Sequence, residues 1–120
     1  MDRDMDAIRQ IILAVKDSDS PIKSVPEISA DVFNFNAMLL IEAGFAQGVI
    51  QESSRRNINV PSLVLIYRLT WDGFEFADSI KDDELWAKAK KFILKPAGSW
   101  TVGILSEYLK QEIKNKFGLS

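Results

Sequence analysis

Apolar residues recur with a helical period from the first turn of the chain. Met5, Ile8, Ile12 and Val15 fall at i, i+3, i+7 and i+10, with Ile11 beside them, so the spacing predicts one amphipathic helix over residues 3–16. Asp2, Asp4 and Asp6 lie in or just before its first turn, where the helix dipole favours negative charge. The polar run Asp17-Ser18-Asp19-Ser20-Pro21 ends it. Residues 22–28 are short and broken by Pro26, leaving room for a single turn that the capping-box pair Ser24 and Glu27 would open. Ser29 is a good N-cap for a second helix that runs to Ala43 and stops at Gly44. Plotted at about 100° per residue, Val32, Phe35, Leu39, Leu40 and Ala43 share the side expected to face the core. Ala30, Asn34, Ala37, Met38 and Ile41 share the side expected to face outward.

After Gly44 the period changes to two. Residues 45–52 and 62–70 read as the two strands of a hairpin, joined by a loop, residues 53–61, too long for a tight turn. In the second strand Leu63, Leu65, Tyr67 and Leu69 share one face, and Val64, Ile66 and Arg68 the other. The helical period then returns. Thr70 can cap a helix carrying Trp71, Phe74, Ala77 and Ile80, with Gly73 allowing close packing beside the hairpin. Asp82, Asp83 and Glu84 precede a stripe of Leu85, Trp86, Ala89, Phe92 and Ile93 that Pro96 and Gly98 end. Ser99 opens a last helix with Trp100, Ile104, Leu105, Tyr108, Leu109, Ile113 and Phe117, closed by Gly118. Phe35, Leu39, Leu69, Phe74, Trp86 and Leu105 are expected in the core, as are Trp71 and Trp100.

The predicted class is mainly α with a β-hairpin wing, an α+β chain. A packing helix, a short turn, a second helix and a hairpin follow the layout of a winged helix, with helix 30–43 as candidate recognition helix and the hairpin as wing. The winged-helix domain is expected to cover residues 1–80. Residues 81–120 are expected as a C-terminal extension of two amphipathic helices packed on it, within a single compact domain. A length of 120 residues accommodates one such core without staples.

Specific segments carry a family resemblance. These are Arg3-Asp4-Met5-Asp6 with Ile8-Arg9, Leu39-Leu40-Ile41-Glu42-Ala43-Gly44, Arg68-Leu69-Thr70-Trp71-Asp72-Gly73-Phe74-Glu75-Phe76, Leu85-Trp86 with Lys88-Ala89-Lys90, and Gly98-Ser99-Trp100. Together they resemble a family of short bacterial and phage-borne proteins of unknown function, akin to YjcQ-like winged-helix proteins. The resemblance spans nearly the whole chain. It implies a winged-helix fold and a prophage setting, and it implies no activity. The compressed region before Ser29 departs from a standard helix-turn-helix.

Composition narrows the chemistry. The chain has no cysteine and no histidine, which excludes disulfides, thiolate metal sites and cysteine catalysis, and removes the commonest general base. Asp82-Asp83-Glu84 is explained by capping and the helix dipole, and Asp2, Asp4 and Asp6 lack the glycine and closing glutamate of a calcium loop. Neither a phosphate loop nor a dinucleotide fingerprint is present. No enzyme activity, catalytic residue, cofactor, metal or small-molecule substrate is therefore expected. No run reaches the roughly 18 apolar residues of a membrane span. The acidic start lacks a signal-peptide layout, so a cytoplasmic protein is expected.

Charge shapes the choice of partner. The net charge is −2; residues 1–80 carry 7 basic and 12 acidic groups, and residues 81–120 carry 8 lysines and 5 acids. Helix 30–43 holds no Arg or Lys, so a duplex would have to be met by Asn34, by Arg55 and Arg56 at the wing tip, and by Arg68 behind them. The leading expectation is a protein-interaction module whose face is Ala30, Asn34, Ala37, Met38 and Ile41, self-associating as a homodimer. That dimer would use the last helix, the outward side of helix 30–43, or both. The alternative is a small DNA-binding regulator using helix 30–43 and the arginine wing.

Overall fold

The computed structural model describes residues 1–53, 59–94 and 101–118. It contains five α-helices and one two-stranded antiparallel hairpin among those residues, a mixed α+β chain. In order these are α1 (Met5–Lys16), α2 (Ala30–Glu42), β1 (Ala46–Gln51), β2 (Leu63–Leu69), α3 (Trp71–Ile80), α4 (Asp83–Ala89) and α5 (Val102–Lys116). A π-helical turn, Lys90–Leu94, continues α4. Two compact units divide the chain, Met1–Ala77 and Asp78–Ser120.

Caps set most of the helix starts. Asp4 accepts from the Ala7 amide (3.0 Å), Ser29 from Val32 (3.4 Å) and Asp82 from Leu85 (3.0 Å). Each supplies an acceptor to an amide that lacks a partner in the first turn. Thr101 caps α5, accepting from Ile104 (3.1 Å). The cap therefore lies two positions beyond the expected Ser99, which falls outside the described residues. Gly44 ends α2 at φ +82°, a conformation that a side chain would strain.

In the first unit, α1 buries Ala7, Ile8, Ile11, Ile12 and Val15, the stripe its spacing predicts, and packs against α2 and β2. The phase of α2 differs from the expectation. Phe33, Asn34, Phe35, Asn36, Ala37 and Leu40 are buried, while Val32 and Leu39 are half-buried and Ala43 is exposed. The reason is the composition of the helix, which is apolar nearly all round and packs against α1, β1 and β2 at once. With neighbours on several sides, no single stripe marks the inside.

The hairpin also departs from simple alternation. Its register runs Ala46↔Leu69 and Gln47↔Arg68, then shifts to Gly48↔Ile66 and Val49↔Leu65. Tyr67 is thus the extra residue of a β-bulge in β2. The bulge resets the two-residue alternation, so Val64, Ile66 and Leu69 are all buried, while Leu63, Tyr67 and Arg68 are exposed. The expected grouping of Leu63, Leu65, Tyr67 and Leu69 on one face is corrected accordingly. Beyond β2, Ile22 adds one antiparallel bridge to Ile66, its amide donating to the Ile66 carbonyl (2.8 Å) and its carbonyl accepting from the Ile66 amide (2.9 Å). A single turn follows, closed by the Ile28 amide on the Val25 carbonyl (3.0 Å).

Helix α3 matches its expected phase at Ala77 and Ile80, which are buried, and departs from it in its first turn. Gly73, Phe76 and Ala77 face inward, and Phe76 stacks on Phe45 with centroids 5.1 Å apart. Trp71 and Phe74, expected in the core, stand 80% and 46% exposed. Gly73 sets this phase: a Cβ built on it would lie 1.9 Å from the Phe45 carbonyl oxygen, so no residue with a side chain fits at this point of closest approach.

The second unit is an antiparallel pair. Leu85, Trp86 and Ala89 of α4 and Leu105 and Leu109 of α5 are buried, which places Trp86 and Leu105 as expected. Lys88 pairs with Glu112 (3.2 Å), and Lys116 pairs with Asp82 and with Glu84 (3.8 Å). Asp82 therefore caps α4 with one oxygen and holds the end of α5 with the other. Its hydrogen bond from Lys116, then that from Leu85, holds its carboxyl below the usual range, and the same contact raises Lys116. Lys116 is exposed and Asp82 half-buried, so solvent screens the effect. The sign follows from linkage: a lowered acid contributes stability above its unfolded value and loses it as pH falls through its folded value. A raised lysine contributes below its unfolded value and loses it as pH rises through its folded value. The pair is intact between about pH 4 and pH 10. Asp82→Asn keeps a capping oxygen and removes the charge. The melting-temperature gap between the wild-type chain and Asp82→Asn should be flat between about pH 6 and pH 8 and close as acid titrates the carboxylate. A gap that persists unchanged into acid would show that the ion pair is not its source.

Candidate functional site

The surface that the sequence singles out is the side of α2 read as outward. The structure does not present it. Asn34 and Ala37 are buried, Met38 and Ile41 are half-buried, and only Ala30 is exposed. This corrects the expected interaction face, for the same reason as the helical phase: α2 is enclosed by α1 and the hairpin.

Both asparagines of α2 are spent inside the fold. The Asn34 side-chain amide donates to the Ser62 carbonyl (3.3 Å), and the Ser62 hydroxyl in turn donates to the Gln51 carbonyl (3.0 Å). Asn34 thereby ties the helix to the loop end of the hairpin. Asn36 is fully buried, accepts from the Asp4 amide (2.9 Å) and donates to the Val32 carbonyl (2.9 Å). Buried amides of this kind are costly unless every polar atom finds a partner, and these do. Asn36 thus anchors the start of α1, a role that sequence reasoning missed. A polar residue between Phe35 and Ala37 of an apolar helix was the available signal.

The exposed residues of α2 add no attraction for phosphate. Asp31 and Glu42 are exposed at its two ends, and the helix has no Lys or Arg. Arg55 and Arg56 lie outside the described residues. Arg68 is exposed on β2, and its guanidinium donates to Gln47 directly across the ladder. In the second unit, Lys88 and Lys116 are engaged by carboxylates, and the Lys91 ammonium sits 5.4 Å from the centroid of the Phe92 ring.

Large apolar groups are exposed elsewhere in the first unit. Val49, Leu63 and Tyr67 lie on the outer side of the hairpin, and Trp71 and Phe74 on the outer side of α3. The Trp71 indole N–H donates to Glu75 (2.6 Å), one turn along the helix, which orients the ring across the surface. Asp72 and Glu75 flank it and are exposed as well. Among the described residues, no group of three or more His, Cys, Asp or Glu side chains converges as a metal site would require. No helix of those residues is long and apolar enough to cross a membrane.

The model of a family described as a hypothetical protein, DUF2513, matches residues 2–99. That span takes in the first unit except Met1, and all of α4. No curated protein and no solved structure matches the chain.

Proposed function

The chain belongs to the DUF2513 family of hypothetical proteins, and from that premise we propose a non-enzymatic, cytoplasmic winged-helix module that binds protein, not duplex DNA. The order of elements supports the winged-helix reading: α1, the Ile22 bridge, one turn at residues 25–28, α2, β1 and β2. The antiparallel sequence β1, β2, Ile22 across the sheet is the three-stranded arrangement such a fold requires, with its first strand reduced to one bridge. In this reading α2 stands where a recognition helix would, and the prophage setting is part of the same proposal.

The observation that carries the choice of partner is Trp71. An indole 80% exposed, beside Phe74 and flanked by Asp72 and Glu75, is chemistry that anchors a protein surface and repels phosphate. The α2 amides that could read a base edge are already bonded within the fold. DNA binding remains the second reading because the fold order itself favours it, with Arg55, Arg56 and Arg68 as its contacts.

Anisotropy titration of a labelled random duplex at low salt decides between them. No saturation is expected at about 10 μM protein, whereas micromolar binding that collapses with added salt would replace the protein-binding reading with the DNA one. Trp71→Ala is expected to change unfolding free energy by less than about 0.5 kcal/mol, as for a surface position. A larger loss would make Trp71 a packing residue and remove the anchor.

A further inference from the structure

The free edge of the hairpin is built to pair. Ile66 commits both its N–H and its C=O to Ile22, on the side of β2 away from β1. Its partner in β1, Gly48, therefore sits in a non-hydrogen-bonded pair, and so does Ile50 opposite Val64, two positions further along. In that phase the amide and carbonyl groups of Gly48 and Ile50 point away from β2, to the outer edge. Among the described residues no strand pairs with that edge.

The edge also lacks charge and proline, its one guard being the bulge opposite Gln47 and Gly48. Natural edge strands are guarded by lysine, proline or inward-pointing charge. Ala46-Gln47-Gly48-Val49-Ile50-Gln51 has no charged residue and no proline. We propose that β1 pairs antiparallel with β1 of a second copy of this chain about a two-fold axis through Val49, joining two hairpins into one continuous sheet.

The register of that pairing is self-complementary. Gly48 of one copy lies opposite Ile50 of the other, so the outward amides and carbonyls of both residues are satisfied, and the axis repeats the exchange. Gln47 lies opposite Gln51, where side-chain amides can bond each other. Val49, 49% exposed, meets its own copy across a non-hydrogen-bonded pair, the closer of the two pair types. Leu65 stands beside Val49 in the hairpin register and extends the apolar strip on each side. An uncharged strand meets its copy without like-charge repulsion, which is the argument for a second copy over a charged foreign segment. The inference goes beyond the proposed function and holds whether the module binds protein or DNA.

The test is light scattering on the full chain together with amide exchange at several protein concentrations. The expected result is a mass near twice 13.5 kDa at tens of micromolar protein, with exchange at Gly48 and Ile50 slowing as concentration rises and exchange at Ile66 unaffected. Val49→Lys, at an exposed position, should raise the dimer dissociation constant about tenfold or more, because like charges directly opposite destabilise a ladder. Ile50→Pro removes only an outward-facing amide and should abolish the dimer while Ile66 stays protected. A mass near 13.5 kDa throughout with fast exchange at Gly48 and Ile50 overturns the proposal. So does a dimer that persists in both variants, which would use another surface.

Discussion

Phe33→Ala is expected to be the most damaging single truncation in α2, costing about 3–5 kcal/mol, the range for a buried phenylalanine reduced to alanine. Phe33 is 1% exposed, in a helix enclosed by α1 and both strands. Truncation removes a large apolar area and leaves a cavity that three packed neighbours cannot collapse into without losing their own contacts. Leu39→Ala is the informative comparison. Leu39 is half-buried, so it should lose clearly less than Phe33, although its position on the helical wheel makes it the better core candidate. Urea unfolding of both variants checks the phase directly. A greater loss at Leu39 than at Phe33 would show that α2 is rotated from the orientation described.

Gly73→Ala is expected to destabilise the first unit by about 3 kcal/mol, the upper end for overpacking. The sign is the discriminating part. In an ordinary helix interior the same change stabilises by up to about 1 kcal/mol, because alanine is the better helix former. Here a Cβ would lie 1.9 Å from the Phe45 carbonyl oxygen and 3.1 Å from the Leu69 Cβ, so backbone would have to move. That backbone is the junction of four elements. The Thr70 hydroxyl donates to the Gly44 carbonyl (2.6 Å) and accepts from the Gly73 amide (3.1 Å), while the Thr70 amide donates to the Phe45 carbonyl (3.1 Å). Pushing α3 outward breaks the seam where α2 ends, β1 begins, β2 ends and α3 begins. Thermal unfolding that shows Gly73→Ala as stable as the parent would mean that α3 does not approach the hairpin base this closely.

The close approach at Gly73 also bears on function. Gly73 packed inward turns Trp71 and Phe74 outward, since helical positions two before and one after a buried residue lie on other sides of the cylinder. The exposed aromatics are thus a product of the same close approach that fixes α3 on the hairpin.

Local information determined much of this protein. The helix of α1, its aspartate start, the Ser29 cap, the Gly44 stop, both strands of the hairpin and the cap at Asp82 were legible because each rests on residues within a few positions of one another. The α+β class and the burial of Trp86 and Leu105 followed from the same periodicities. What only the tertiary structure decided depends on contacts between distant segments. The inward side of α2 could not be read from a helix that is apolar on nearly every side, and it was settled by α1 and β2 packing on it together. The bulge at Tyr67 moved Leu69 onto the face of Val64 and Ile66, an offset that no alternation within one strand can show. Asn34 and Asn36 looked like free polar groups because their partners, Ser62 and Asp4, lie 28 and 32 residues away. Trp71 looked like core because large aromatics usually are; its exposure follows from Gly73 meeting a carbonyl on another element. Spacing reports what a segment can bury, and the neighbours that arrive from elsewhere in the chain select which side it does bury.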